Sequence, residues 1–216
     1  MTIIKNRKEI IMKHYSITRD KFFSENEKKQ LLVACKKKAS IDASQGRKTW
    51  VTRYILTHTA LNSGLRVSEI AALKMGDLFF NGSENYVLVR HGKGDKKRDV
   101  YLDQSIVLHI KNYIAVKKQW GESTTKTAPL LTGRGEGHFT TTALHISFNK
   151  AIEEAGLPGN HTIHSSRHTY ATLLLSKTNN LRFVQKQLGH ASINTTALYA
   201  HVLPEINQAL ANTMEE

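Results

Sequence analysis

Cysteine, acidic residues and long apolar runs are all scarce in this chain of 216 residues. Its one cysteine, Cys35, excludes an internal disulfide and fits a reducing compartment. Cys35 ends the segment LLVAC, so we expect it on the apolar side of a helix, as a packing residue rather than a nucleophile. No apolar run is long enough to span a bilayer, and the charged N-terminus lacks the pattern of a signal peptide. We therefore expect a cytoplasmic protein that does not enter a membrane.

Acidic residues are outnumbered by basic ones. Lysine and arginine total 31 against 18 acids, which gives a formal net charge of +13 and a pI of about 9.8. A basic surface attracts polyanions, and nucleic acid is the commonest large polyanion in a cell. The alternative is that the excess lysine only confers solubility. No long amphipathic basic helix favours a membrane surface.

Two common catalytic signatures are also missing. The glycine-rich segment 121–138 lacks the Gly-Lys-Ser/Thr ending of a P-loop. His161, His164 and His168 are close in sequence, but no His-Glu-x-x-His pattern occurs and the cysteine is distant. We expect neither a cofactor nor a metal ion.

Helical periodicity and turn signals predict a mainly α domain with a small antiparallel β-sheet, an α+β fold. Ser24 and Glu27 form a capping box at the start of a helix. Gly64 follows the next helical segment, where a left-handed cap is expected. Three strands are predicted near residues 78–80, 86–90 and 98–102, with a β-hairpin turn at 92–95. Further helices are expected over 105–120 and, with breaks, after residue 140.

Three residues whose side chains could bind a phosphate or transfer a proton beside it lie on predicted helices. Arg66 begins a short helix just after a glycine turn, where unpaired N–H groups and a guanidinium fork both favour an anion. The alternative for Arg66 is a salt bridge to Glu69 or Asp77. His164 and Arg167 are three residues apart and share a helix face, so a proton carrier lies beside a fixed positive charge.

Three further candidates lie in turns and near the C-terminus. His190 follows a helix-ending glycine, and Tyr199 lies nine residues later in a polar segment that we expect to stay near the surface. A packing role for Tyr199 stays open at this point. Lys93 lies at the tip of the predicted hairpin, where it could reach a bound substrate, and the alternative is a solvated basic turn.

In order and spacing, these segments resemble those of the tyrosine recombinases, also called the λ-integrase or phage integrase family. The resemblance covers residues 24–202 and is carried by GLRVSEIAAL, GKGDKKRDVYL, HSSRHTYATLLL and LGHASINTTALYAHV. It implies the catalytic-domain fold of that family. It also implies a catalytic set of Arg66, Lys93, His164, Arg167, His190 and Tyr199.

The function implied by the resemblance is site-specific recombination or integration of double-stranded DNA, for a phage or another mobile element. Tyr199 would attack the scissile phosphate and form a 3′-phosphotyrosine, which conserves the bond energy so that rejoining needs no ATP. The two arginines and His190 would stabilise charge on the non-bridging oxygens, which leaves no need for a metal. His164 would accept or orient the phenol proton, and Lys93 would protonate the leaving 5′ oxygen.

The domain organisation that we predict is a basic N-terminal arm (1–22), a catalytic domain (23–203) and a C-terminal helix or tail (204–216). Apolar residues at four-residue spacing in the tail predict a helix that docks on its own domain or, as the resemblance implies, on a neighbouring subunit. We expect a homotetramer on DNA, with a monomer as the free form. The arm is too short for the N-terminal DNA-binding domain of most family members, so we expect either a fragment or a compact recombinase without that clamp.

Three other functions stay open from the sequence. A type IB topoisomerase uses similar chemistry without pairing two sites. A DNA-binding protein could keep the fold without the chemistry, although all six catalytic positions hold competent residue types. A metal-dependent nuclease would be excluded by activity in excess EDTA.

Overall fold

The computed structural model describes residues 17–92, 96–133 and 137–200. The predicted position of Lys93 and the predicted C-terminal helix lie outside the described residues. The described helices are α1 (Glu25–Ser44), α2 (Thr49–Ser63), α3 (Val67–Ala72), α4 (Gln104–Gln119), α5 (Thr141–Glu154), α6 (Ile163–Thr178), α7 (Leu181–Leu188) and α8 (Ile193–Ala197). The strands are β1 (Leu78–Phe80), β2 (Asn85–Val89) and β3 (Arg98–Tyr101), and single 3-10 turns cover Arg19–Lys21 and Met75–Asp77. None of the described helices is both long and apolar enough to cross a bilayer.

Local sequence signals set the ends of the first two helices. The Ser24 hydroxyl accepts the Glu27 N–H at 3.1 Å, and the Glu27 carboxylate accepts the Ser24 N–H at 2.6 Å, which confirms the predicted capping box. Gly64 ends α2 with a φ of +63°, as predicted. A Cβ at this position would lie 2.4 Å from Cδ1 of Tyr170, so packing as well as backbone conformation requires glycine there.

The three strands form one antiparallel sheet, as predicted, and the structure gives their order as β1-β2-β3. Val87 pairs with Leu78 on one side and with Val100 on the other, and both valines are buried. The outer strand β3 lies against α7, since the Gln187 side chain accepts the Tyr101 N–H at 3.1 Å. This contact brings the sheet edge next to the C-terminal helices.

The main core lies between α1, α2, α4, α5 and the sheet. Its fully buried members include Phe23, Leu31, Ile55, Ile106 and Phe148. Burying each such side chain contributes about 1.5–3 kcal/mol. Cys35 is fully buried in this core, and burial raises the pKa of its thiol to about 11, which confirms a packing role. The predicted loop 121–138 also reaches this core, since Leu130 and Leu131 are buried.

A second core packs against the C-terminal helices. Its buried members are Ile17, Phe22, Ala171, Leu175, Val184, Leu188 and Tyr199. Ile17 and Phe22 belong to the segment that the sequence assigns to a basic arm. Two apolar residues with no periodic neighbours carry no signal of helix or strand, so the sequence did not reveal that the end of this arm is packed.

A histidine pair, with His58 buried and His109 half-buried, connects α2 to α4. Nδ1 of His58 lies 2.8 Å from Nδ1 of His109, and the Asn62 amide nitrogen lies 3.2 Å from Nε2 of His58. The pKa of both imidazoles is lowered to about 4. Burial is the main cause for both, and the proximity of His58 is a second cause for His109. Both rings are therefore neutral at neutral pH.

We predict that this pair makes the protein less stable in mild acid. As pH falls from 6.5 towards 4, the unfolded chain binds protons on these histidines before the folded chain does, so the free energy of unfolding falls. Above that window the pair adds no pH dependence. The free energy of unfolding is measured with urea at about pH 7 and at about pH 4.5. Its decrease between the two pH values should be about 2 kcal/mol smaller in the double variant His58→Gln/His109→Gln than in the wild type. An equal loss in both proteins would contradict this explanation.

Candidate active site

Arg66 lies at the N-cap of α3, immediately after the turn formed by Gly64. Its side chain is paired with Glu69, since Nη1 donates to Oε1 at 2.8 Å, and its backbone N–H donates to Oε2 at 2.8 Å. The salt bridge that the sequence offered as an alternative is therefore present. The Arg66 side chain nevertheless stays partly exposed, so the pair does not exclude phosphate binding.

Glu69 is buried and binds a second arginine from the sheet. Arg98 on β3 donates to both carboxylate oxygens, at 2.8 and 2.9 Å. Burial alone would raise the pKa of the Glu69 carboxyl, but the hydrogen bonds from Arg98 and Arg66 outweigh it and hold the pKa below its ordinary value. Glu69 is thus a stable anion that positions the arginines around it.

Arg167 on α6 joins two chain turns that are distant in sequence. Its guanidinium donates to the carbonyl of Gly64, and Nη2 donates to the carbonyl of Leu188 at 2.7 Å. Burial, reinforced by the positive charge of Arg66, lowers its pKa to about 10, so Arg167 stays charged at neutral pH. It thereby holds the turn before Arg66 next to the turn before His190.

His190 follows Gly189, which ends α7 in the left-handed conformation with a φ of +64°. Its Nδ1 lies 2.9 Å from the hydroxyl of Thr196. Burial, and then the positive charges of Arg167 and Arg66, lower the pKa of His190 to about 4. A neutral imidazole is therefore present beside the arginines at neutral pH.

Tyr199 follows α8 and lies against the ring of His190. The two rings are nearly parallel, 6° apart in plane, with centroids 6.3 Å apart. The segment around Tyr199 lies at the surface as expected, since Asn194 and Thr195 are exposed, but Tyr199 itself has an exposed fraction of only 3%. Thr196 of α8 is also buried, and the phenol ring belongs to the second core together with Leu188.

Two histidines of α6 take different positions near the phenol. His168 is half-buried, and its Nδ1 lies 3.1 Å from the Tyr199 hydroxyl. His164 is exposed, with its ring centroid 5.2 Å from that of His145 on α5. Burial, and then the charge of Arg167, lower the pKa of His168, which favours the neutral ring.

The structure thus brings Arg66, Arg167, His190 and Tyr199 into one site, with His164 at its exposed edge. The role of Lys93 stays a prediction, because Lys93 lies outside the described residues. The described residues on either side of it are joined by one hydrogen bond, in which the Gly92 N–H donates to the Lys96 carbonyl at 3.1 Å.

Sequence reasoning missed two residues of this site, Arg98 and His168. His168 entered only in the hypothesis of a metal site that it would share with His161 and His164. His161 packs against the ring of Phe23 instead, with ring centroids 4.2 Å apart. Among the described residues, no three metal-ligating side chains are placed to share an ion. Arg98 appeared only as one charge beside a basic turn, and no local signal in the sequence pairs it with Glu69, which is 29 positions away.

Sequence comparison places this geometry in a known family. The sequence profile of the Phage integrase family matches residues 21–205. The chain is 34% identical to the tyrosine recombinase XerC of Nitrobacter winogradskyi over 166 residues, 76% of this chain and 50% of that protein. It is 31% identical to XerC of Bradyrhizobium diazoefficiens over 175 residues, 79% of this chain and 53% of that protein. The chain therefore spans about half the length of these curated relatives.

Solved structures with the same fold are also recombinases. The crystal structure of XerA recombinase aligns with a TM-score of 0.73 at 27% identity, covering 94% of this chain and 66% of that one. The XerH site-specific recombinase bound to a palindromic difH substrate aligns with a TM-score of 0.72 at 26% identity, covering 90% of this chain and 53% of that one. With its fold, its clustered site and the profile match over most of its length, this chain belongs to the phage integrase family of tyrosine recombinases.

Proposed function

We propose that this chain cleaves and rejoins double-stranded DNA as a site-specific recombinase or integrase, with Tyr199 as the nucleophile. The observation that carries the proposal is the convergence of Arg167, Arg66 and a neutral His190 around one phenol. An anionic phosphodiester repels a nucleophile, and hydrogen-bond donors fixed around its non-bridging oxygens offset that repulsion in the transition state. The basic composition and the DNA-bound relative with a cleaved substrate support DNA as the substrate.

In the forward step the Tyr199 oxygen forms a bond to phosphorus while the bond from phosphorus to the 5′ oxygen breaks. The phenol proton passes to an imidazole, and the leaving 5′ oxygen takes a proton, which Lys93 would supply. In the reverse step a 5′-hydroxyl attacks the phosphotyrosine and releases the phenol. Because one phosphoester replaces another, neither ATP nor a redox partner is needed.

The burial of Tyr199 adds a requirement to this mechanism. Tyr199 is 3% exposed and its hydroxyl is hydrogen-bonded to His168, so the phenol must give up this contact before it attacks a phosphate. The segment that follows α7 must therefore shift when DNA binds, so that the phenol exchanges His168 for the phosphate.

The test is covalent trapping on DNA in excess EDTA. The protein is incubated with a pool of nicked duplexes that carry a randomised central block, and DNA that stays attached after SDS treatment is sequenced. We expect a recovered consensus and, by mass spectrometry, a nucleotide on Tyr199. Recovery of no attached DNA, or attachment through another residue, would refute the proposal. Relaxation of plasmids that lack the consensus would instead indicate topoisomerase activity.

Variants of the two histidines should identify the proton acceptor. His164 is exposed on the same helix face as Arg167. The hydrogen bond between His168 and the phenol, by contrast, breaks when Tyr199 moves to the phosphate. We therefore expect His164→Ala to slow adduct formation by about 10²-fold or more, and His168→Ala to slow it less. The pH dependence of the adduct rate is compared for both variants on the selected duplex. A larger loss in His168→Ala, with a shifted acid limb, would assign the proton to His168.

A further inference from the structure

Glu69 is the most heavily bonded acidic group of the site. Its Oε1 accepts from Nη1 of Arg66 and from Nη1 of Arg98, both at 2.8 Å. Its Oε2 accepts the Arg66 backbone N–H at 2.8 Å and Nη2 of Arg98 at 2.9 Å. One carboxylate is thus shared between two guanidinium groups, and the two groups hold it in different ways.

Arg98 makes the bidentate contact and Arg66 the single one. The side chain of Arg98 is 10% exposed and that of Arg66 is 26% exposed. Within the described residues, the Arg66 guanidinium contacts Glu69 through Nη1 alone. Because a fork-to-fork pair is the stronger geometry, Arg98 occupies the contact that Arg66 would otherwise take.

Arg98 also supports the turn that carries His190. Its Nε donates to the carbonyl of Gln187 at 3.1 Å. A Cβ at Gly189 would lie 2.7 Å from Cδ of Arg98, so the stem of this arginine packs directly under the turn. One side chain from β3 therefore contacts the supports of two candidate phosphate ligands.

We propose that Arg98 is a positioning residue, which keeps the Arg66 guanidinium available to the scissile phosphate by holding both oxygens of Glu69. This inference rests on the proposed function. Without Arg98, Arg66 would be the one guanidinium still hydrogen-bonded to the buried Glu69 anion among the described residues. Arg66 would then turn onto both oxygens of Glu69, and its N–H groups and its charge would be withdrawn from the DNA.

The structural arm of the test does not depend on activity. A crystal structure of Arg98→Met should show Arg66 paired bidentately with Glu69. An Arg66 side chain that keeps its original single contact would overturn the inference, whether or not the protein cleaves DNA. If Arg98→Met does not fold, Arg98→Met/Glu69→Gln replaces the buried ion pair with neutral groups, and Arg98→Lys retains the charge without the fork.

The kinetic arm is a double-mutant cycle on the nicked duplex selected for the wild type. We expect Arg98→Met to slow adduct formation by about 10²-fold with nearly unchanged DNA affinity. Adding Glu69→Gln should raise the rate of adduct formation again by at least about tenfold, because a neutral amide no longer forms an ion pair with Arg66. Arg98→Lys should fall between Arg98→Met and the wild type. A double variant as slow as Arg98→Met, or slower, would show that Arg98 acts only through stability.

A control variant separates this effect from the loss of any arginine that is paired with a buried carboxylate. Arg47 donates to the buried carboxylate of Asp42 at 2.8 Å, at the opposite end of α1 from Ser24. Arg47→Met should lower the melting temperature without changing the adduct rate of the folded protein. Failure of the wild type to form any adduct would count against the proposed function, and the crystal structure would still decide the role of Arg98.

Discussion

Replacing Tyr199 with phenylalanine should abolish the covalent DNA adduct, with a loss of at least about 10⁴-fold in the rate of its formation. The substitution removes the oxygen of the proposed nucleophile and leaves the ring stacked beside His190. DNA affinity should be nearly unchanged, since affinity for a duplex derives mainly from contacts to its phosphates. The rate is measured by trapping on the selected nicked duplex, and affinity by titration of an intact duplex at a stated salt concentration.

The stability of this variant should change little. The lost hydroxyl is 3.1 Å from Nδ1 of His168, and one such hydrogen bond contributes about 1 kcal/mol. Tyr113 on α4 is a matched control, because it is equally buried, at 3% exposed, but belongs to the main core. Tyr113→Phe should retain full cleavage. Adduct formation by Tyr199→Phe, or its loss in Tyr113→Phe, would remove Tyr199 from the role of nucleophile.

The second large effect is expected at Arg167. Arg167→Lys keeps a positive charge but cannot donate to the carbonyls of Gly64 and Leu188 and also present a planar fork to a phosphate. We expect adduct formation to slow by about 10²–10³-fold, the loss typical of one transition-state hydrogen-bond donor. At least one buried carbonyl loses its donor, so the free energy of unfolding should also fall by about 1–3 kcal/mol.

The control for Arg167 lies on the neighbouring helix. Arg182 on α7 is exposed and donates only to the Gln185 side chain among the described residues, at 3.3 Å. Arg182→Lys should leave both the adduct rate and urea unfolding unchanged. If Arg167→Lys were destabilised but cleaved at the normal rate per folded molecule, Arg167 would be a structural link between the two turns and not a ligand of the phosphate.

The element pattern of this domain was predictable because its signals are local. The capping box of Ser24 and Glu27 spans one helical turn, and Gly64 terminates α2 through its own backbone conformation. The three strands follow from short β-type segments bounded by turns, and their order follows from their short connections. In each case the residues that decide the structure lie within a few positions of one another.

The candidate catalytic residues were predictable for a different reason. Arginine, histidine and tyrosine occur in segments whose order and spacing resemble one family, so their identities could be listed before their positions were known. The same segments placed the chain around Tyr199 near the surface and left open whether the ring itself is packed in the interior. The polar residues around it indicate where the backbone of α8 lies, but they do not indicate which way one aromatic ring points.

The sequence by itself determined the basic charge, the helical and strand segments and the residue types able to bind a phosphate. Only the tertiary structure decided that Arg98 holds Glu69 from 29 positions away, that Arg167 binds the Gly64 carbonyl from 103 positions away, and that Tyr199 is covered. Periodicity fixes which face of an element is apolar, but not which distant element packs on that face. That packing decides which polar groups lie beside a buried charge. A buried charge therefore forms its hydrogen bonds with groups that can be far away in the sequence.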